Sequence, residues 1–506
     1  MWGQPPPAVQ WARPAHLAAP RPEAASRDSS RRPSRFRHTE SLNPQTRPPK
    51  STVSPARATA FDILLRVERE SSYASELLHS AAHEHLSTPD HALATELVMG
   101  VLRWRSRLDD EIAPASSQPL ARLDVEILIA LRLALYQFRW LNRVPQRAAL
   151  HESVELVKRA RKRSAAPFVN AVLRKLSTTP QQTGDSSPKD ELDSPEILAR
   201  TLAHPLWMVE RWAHAFGLSA AHQICRHNQS IPTTAIRLRN AAVEAELRQE
   251  EITLTSGALL ASARLYHAGD ITKTQAVRTG QVVIQDEASQ LVAALVSSSS
   301  FIKHPRILDC CAAPGGKTLA IADHNPDATI TAVELHPHRA RLLQKLLHLH
   351  EPHSTARIEI LVADAQHLPM LVQFDRVLAD VPCSGTGTLA RNPEIKWKLT
   401  PEDIQDLQGR QIAILAAAMK HVAPGGRIVY STCSLEPEEN EQVVSACLQG
   451  NNEFKVVPVK DELVRLQASG VLSPGDVNVL VKDDFLRTIP GAHLCDGFFA
   501  AILQRQ

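Results

Sequence analysis

Between about Ser289 and Gln506, short runs rich in β-branched and apolar residues alternate with helical ones: "RILDCC", "TITAVEL", "IEILVAD", "FDRVLADV", "GGRIVYST" and, near the end, "FFAAIL". No other feature constrains the fold as strongly. Strands that alternate with helices run parallel and are covered on both faces. The expected product is a doubly wound, Rossmann-like α/β sheet that takes its ligands at the carboxyl ends of its strands. Those ends are where chemistry is to be sought.

The first end reads "ILDCCAAPGGKTLAIAD": a strand, Asp309, a turn with Pro314, Gly315 and Gly316, then a helix. Glycines let a ligand approach the backbone, and a helix N-terminus offers unpaired N–H groups. Only Gly-Gly precedes Lys317, so the segment is neither the phosphate loop of nucleoside triphosphatases nor G-x-G-x-x-G. Taken alone it is a tight turn. The next ends carry Glu334, Asp364 and Asp380 in turn. One acid at a strand end is ordinarily a helix cap. Acids ending consecutive strands suit a ligand with ribose hydroxyls, amines and a positive charge, and S-adenosyl-L-methionine has all of these.

Upstream, residues 1–52 are rich in Pro, Arg and Ser and lack apolar periodicity, so we expect a disordered basic tail. A transit peptide is the rival reading, but early prolines and Glu23, Asp28 and Glu40 do not fit it. Residues 53–176 show helical spacing throughout, with helices opening at Thr88-Pro89-Asp90 and Asp124 and a break at Pro145. Residues 177–195 read as a solvated linker. Residues 196–288, with "TAIRLRN" and "GQVVIQD", read as a small α+β subdomain ahead of a core spanning 289–506. No apolar run approaches the roughly 18–20 residues that span a bilayer. The net charge of +3 leaves any nucleic-acid partner to be met by local basic patches.

Seven cysteines without a CxxC pair argue against disulfides and a metal site, and for a reducing, cytoplasmic setting. Cys225, Cys310, Cys447 and Cys495 read as small buried hydrophobes. Cys383 and Cys433 differ, because both lie just past strand ends in polar loops, "ADVPCSGTG" and "IVYSTCSLEPEENE".

As a set, "DCCAAPGGKT", "ADVPCSGTG", "NPEIKW" and "YSTCSLEPEENE" resemble the RNA cytosine-C5 methyltransferases of the RsmB/Sun and NOL1/NOP2 superfamily. The helical region, with "ARATAFDILLRV", "ELVMGVLRW" and "PFVNAVLRKL", looks like the NusB-like RNA-binding domain that the RsmB/Sun branch carries ahead of its class I methyltransferase core. The resemblance implies an enzyme acting on 16S ribosomal RNA, at the cytosine counted as nucleotide 967, and we expect a monomer. It places the cofactor loop on Cys311, Ala312, Ala313, Pro314, Gly315, Gly316 and Lys317, the ribose acid on Glu334, and further cofactor-site acids on Asp364 and Asp380. It makes Cys433 the nucleophile and Cys383 the thiol that helps release the product. Val381, where the family usually has alanine, departs from the pattern, and we expect it to alter packing alone.

The chemistry explains two thiols. A thiolate adding to C6 makes C5 of cytosine reactive toward a methyl group, and the later loss of the C5 proton calls for a base. Asp380 is expected to bond the pyrimidine N3 side as a neutral acid. The expected basic contacts to RNA are Lys158, Arg159, Arg161, Lys162 and Arg163, then Arg237 and Arg239, with Arg391, Asn392, Lys396 and Trp397 near the flipped base. Each of these groups is equally readable as a solvated or helix-packing surface. Action on tRNA or 23S rRNA, and a non-catalytic RNA-binding role, are the alternatives. A DNA enzyme, which would use a Pro-Cys thiol such as Cys383, lacks its partnering Glu-Asn-Val segment here.

Overall fold

The segment "VEILIALRLALYQFRW" is apolar on nearly every side, and such a helix is stable only when others surround it. It forms the helix Val125–Trp140, at the centre of an all-helical domain. Around it stand the helices Pro55–Arg69, Thr88–Arg103, Arg105–Ile112, Gln146–Arg159 and Ala166–Thr178. Its buried Arg132 pairs with Asp109 at 2.7 Å and Glu68 at 3.2 Å, so the charge inside the bundle is compensated. Ser87 caps the helix Thr88–Arg103 by accepting the Asp90 N–H at 3.2 Å. Asp124 makes no such cap and pairs with Lys162 at 2.9 Å.

The chain is seen here as a computed structural model that describes residues 53–70, 72–80, 86–179, 194–298, 302–350 and 354–506. The tail expected over residues 1–52 and most of the expected linker, 180–193, lie outside the described residues. From Val53 on, the described residues belong to one compact unit.

Three helices, Pro195–Thr201, Leu206–Phe216 and Leu218–Gln229, lead into an antiparallel sheet of β1 (Thr234–Leu238), β2 (Thr253–Ser256), β3 (Ala263–Ala268) and β4 (Val282–Ile284), in the order β2-β3-β1-β4. The boundary expected after residue 288 falls inside the helix Glu287–Ser297, whose apolar side joins the core cluster.

The core sheet contains β5 (Arg306–Asp309), β6 (Thr329–Glu334), β7 (Arg357–Val362), β8 (Phe374–Asp380) and β9 (Val422–Thr432). These run parallel in the order β7-β6-β5-β8-β9, so the order reverses at β5/β8. Beyond β9 the sheet is not parallel. β13 (Phe498–Arg505) pairs antiparallel with β9, and β10 (Phe454–Val457), β11 (Val481–Lys482) and β12 (Phe485–Thr488) extend it. The sheet is therefore mixed, because β13 follows its neighbour β12 through a helix-free connection and runs antiparallel to both β12 and β9.

The helical domain is bolted to this core by the loop after Cys383. Lys396, 1% exposed, donates to the carbonyls of Arg103 at 3.0 Å and Ala203 at 2.9 Å. Trp397 Nε1 donates to Leu102 O at 2.6 Å, and Arg103 donates to Ala390 O at 3.0 Å. Lys396 and Trp397, expected near the flipped base, thus serve the domain junction. A lysine offers enough carbon and N–H groups to seal such a seam, provided its charge is shed.

Burial pushes the Lys396 ammonium down to about 7, against a slight upward pull from Cys225. The neutral amine still donates to both carbonyls. In the unfolded chain Lys396 keeps its proton up to about 10.5, so its contribution to stability grows as pH rises above about 7. Thermal unfolding of Lys396→Met beside the wild type should show a gap that widens in favour of the wild type from about pH 7 to 8.5. A gap that stays constant over that window would mean that Lys396 does not titrate there.

Candidate active site

β5 ends at Asp309 and the chain turns through Pro314 into the helix Gly316–His324. Gly315 sits at φ 117°, and a Cβ there would lie 2.6 Å from Leu343 Cδ1, so only glycine suits this turn. The turn lines a cavity of about 350 Å³ that also meets Asp309, Asp380 and Cys433. Burial pushes the Asp309 carboxyl up to about 6, against the Thr318 hydroxyl that donates to it at 2.7 Å. Lys317 Nζ lies 2.7 Å from Asp380 Oδ2 and 5.1 Å from the Phe498 ring centre. Burial alone would lower the Lys317 ammonium, but Asp380, then Cys433 and Asp309, hold it up.

β8 and β9 lie side by side and parallel, so their ends deliver two neighbouring loops. Cys383 Sγ and Cys433 Sγ meet at 3.3 Å in a shared hydrogen bond. That bond, then burial, pushes the Cys383 thiol well up, so it keeps its proton. Cys433 faces the cavity described above, whereas Cys383 lines a second one of about 330 Å³. The thiol pair separates the two.

What aligns the thiols is the fully buried Glu439. Its carboxylate accepts the Ser384 N–H at 2.8 Å, Gln411 Nε2 at 2.9 Å and the hydroxyls of Ser384 and Ser434. Ser384 and Ser434 each directly follow one of the cysteines. Gly387 N donates to Cys433 O at 2.9 Å, and a Cβ on Gly387 would strike Gly497 O. Leu389 and Leu435, further along the two loops, join one apolar cluster with Met208, Trp212 and Ile224 of the middle helices.

The structure brings together Cys311, Ala312, Ala313, Pro314, Gly315, Gly316, Lys317, Asp380 and Cys433 in one cavity, with Cys383 behind. Glu334 and Asp364 stand at the next two strand ends, outside the walls of both cavities. Glu334 is buried and accepts the His336 N–H at 2.8 Å, and Asp364 accepts the Gln366 N–H at 2.9 Å. Asp380 takes the Lys317 ammonium on one oxygen and the Ser431 hydroxyl, at 2.7 Å, on the other. Both of its oxygens are thus engaged within the protein, one in an ion pair and one as a hydrogen-bond acceptor. Val381 is buried in the apolar cluster beside β8.

Several of the basic residues expected to contact RNA have partners within the protein. Arg237 is buried and Arg239 half-buried, and both pair with Asp323, so they hold the small sheet to the core. Arg391 pairs with Asp286 at 3.2 Å and Asp496 at 2.9 Å in the wall of the Cys433 cavity. Asn392 Oδ1 accepts the Ser75 hydroxyl at 3.2 Å. Lys158, Arg159 and Lys162 pair with Glu155, Asp62 and Asp124 at 2.6–2.9 Å on an open face, where Arg161 and Arg163 are also exposed. Cys225, Cys310 and Cys495 are buried, and burial pushes their thiols up, Cys225 to about 12. Cys447 is half-buried and shifted the same way, to about 11. Residues that sequence reasoning missed are Asp286, Asp496, Glu439 and Tyr73. Glu439 lay within a quoted motif, but only the fold shows what it holds. Among the described residues no group of His, Cys, Asp and Glu could hold a metal ion, and no helix is long and apolar enough to cross a membrane.

Comparison with known proteins extends this geometry. A family model described as 16S rRNA methyltransferase RsmB/F matches residues 301–504, and the NusB family matches 54–178. The chain is 33% identical over 466 residues to the probable ribosomal RNA small subunit methyltransferase B of Bacillus subtilis (strain 168), covering 89% of this chain and 98% of that protein. It is 30% identical to the ribosomal RNA small subunit methyltransferase B of Vibrio cholerae, covering 84% and 92%. The crystal structure of PH0851 superposes with a TM-score of 0.72 at 22% identity, over 90% of this chain and all of that one, which speaks for the fold alone.

Removing the Glu439 carboxylate strands at least two buried N–H donors, each at a cost of about 1–3 kcal/mol. Glu439→Ala should therefore lower the unfolding free energy by about 2–6 kcal/mol in urea titrations. A loss below about 1 kcal/mol would show that the two loops hold together without it.

Proposed function

The chain belongs to the 16S rRNA methyltransferase RsmB/F family, and from that premise we propose that it transfers a methyl group from S-adenosyl-L-methionine to C5 of a cytosine in 16S ribosomal RNA. We take nucleotide 967 as the target, through a covalent adduct between cysteine and C6. The observation that carries the reading is the thiol pair at 3.3 Å, with Cys433 in the wall of the cavity that the Pro314–Lys317 turn also lines.

The residues present fit the cofactor. Buried Glu334 suits ribose hydroxyls, Asp364 an amine, and the turn at Gly315 and Gly316 brings backbone N–H groups close. An acidic set of Asp309, Glu334 and Asp364 favours a cation over an anion. When bound, S-adenosyl-L-methionine supplies a methyl carbon activated by its positive sulfur.

Cys433 attacks C6 of the cytosine as a thiolate, and the electron density moved to C5 makes that carbon the nucleophile. The Lys317–Asp380 pair lies in the same cavity, where the ammonium can donate to the pyrimidine as charge develops. Release needs two proton movements. Cys383 exchanges protons in one concerted step: it takes the C5 proton as the C5=C6 bond re-forms and the C6–S bond breaks, and it passes the proton it kept across the 3.3 Å contact to the departing Cys433 thiolate. For the RNA strand, a groove of about 900 Å³ on the helical domain offers Arg147, Lys158 and Arg174.

A denaturing gel with 16S rRNA and cofactor separates the roles. Cys433→Ala should give no slow-migrating protein–RNA band and no methyl transfer, whereas Cys383→Ala should accumulate a persistent band. A band that survives in Cys433→Ala and vanishes in Cys383→Ala would reverse the two. Calorimetry tests the cofactor end: Glu334→Ala should weaken binding of S-adenosyl-L-methionine by about 1–3 kcal/mol, and an unchanged affinity would remove Glu334 from the site.

A further inference from the structure

The second cavity has no part in the chemistry above, although Cys383 forms its wall. Across from Cys383 it is lined by Tyr73, Glu394 and Lys398. Tyr73 belongs to the helical domain, whereas the other three belong to the core. Its side chain is 47% exposed, and the chain on either side of it is pinned by the core. Lys398 Nζ donates to Glu70 O at 3.0 Å and Ser72 O at 3.2 Å. The Ala74 N–H donates to Glu394 Oε1 at 2.8 Å, and the Ser75 hydroxyl to Asn392 Oδ1 at 3.2 Å. Glu394 is 1% exposed, and its second oxygen takes no hydrogen bond from another described residue.

An aromatic ring that stays half-open to solvent while its backbone is held on both sides is a preorganised surface. It also shares its cavity with Cys383, whose thiol meets that of Cys433 at 3.3 Å. A cytosine bonded to Cys433 has left the stack of its own strand, and the nucleotide beside it has lost a stacking partner at that moment. Aromatic faces take up unstacked bases without regard to sequence.

We propose that the cavity on the Cys383 side is a subsite for one nucleotide flanking the target cytosine, with Tyr73 as its stacking platform. This rests on the RNA methyltransferase reading. Glu394, Asn392 and Lys398 are positioning residues that hold the chain on either side of Tyr73, so the substrate site spans two domains.

The test uses the full chain and a 16S rRNA fragment in which the nucleotide on each side of the target is replaced in turn by an abasic ribose. Binding is read by fluorescence anisotropy and methyl transfer is read separately. One abasic position should weaken wild-type binding about 10-fold. Tyr73→Ala should weaken binding of the intact fragment by a similar factor and be indifferent to that abasic position, and Tyr73→Phe should bind as the wild type does. Losses that simply multiply in Tyr73→Ala, or an affinity that Tyr73→Ala leaves unchanged, would overturn the subsite. Should the wild type bind with this pattern yet transfer no methyl group, the reaction falls and the subsite stands. Methyl transfer without the pattern would leave the reaction standing and remove the subsite.

Discussion

One buried carboxylate sets the distance between two sulfur atoms. Glu439 reaches the residue after each cysteine, and through Gln411 it also reaches the long helix Pro401–Met419 behind them. A group with only acceptor sites can collect several donors from different loops at once, which no hydroxyl or amide does as well. Because its partners are the Ser384 N–H and two hydroxyls, the node fixes backbone as well as side chain. The parallel pairing of β8 and β9 brings the loops near each other, and Glu439 turns proximity into contact. The proposed proton transfer between the thiols depends on that contact.

The loop from Arg391 to Lys398 is the second organiser. It sends Arg391 into the cofactor-side cavity, Asn392 and Glu394 to the segment around Tyr73, and Lys396 and Trp397 into the helical domain. A short run of chain that begins soon after Cys383 thus couples the thiol site to the placement of the helical domain. The charges in "RNPEIKWK" look in sequence like a solvated surface. In the fold, Arg391, Glu394 and Lys396 meet buried or partly buried partners.

Fold class and the ligand-bearing strand ends were legible because they rest on local signals: period-two runs, glycines in turns, apolar spacing along helices. Expectations failed where the deciding partner is remote. Arg237 and Arg239 read as basic contacts until Asp323, some 84 to 86 residues away, is placed beside them. Tyr73 carries no signal of its own and acquires a role only from Glu394, which holds the neighbouring Ala74 from 320 positions along the chain. The antiparallel strands β10 to β12 are short, from two to four residues, and too brief to show a period.

The position of β13 in the sheet has a consequence for synthesis on the ribosome. β9, which delivers Cys433, pairs with β8 on one side and with β13 on the other, and β13 is the last strand in chain order. While the chain is being made, β9 therefore presents an unpaired edge until residues 498–505 emerge. The helical domain, whose contacts are local, can fold long before that moment. A nascent chain would then present a finished NusB-family domain ahead of a finished catalytic sheet, so the two halves of a single molecule mature in sequence.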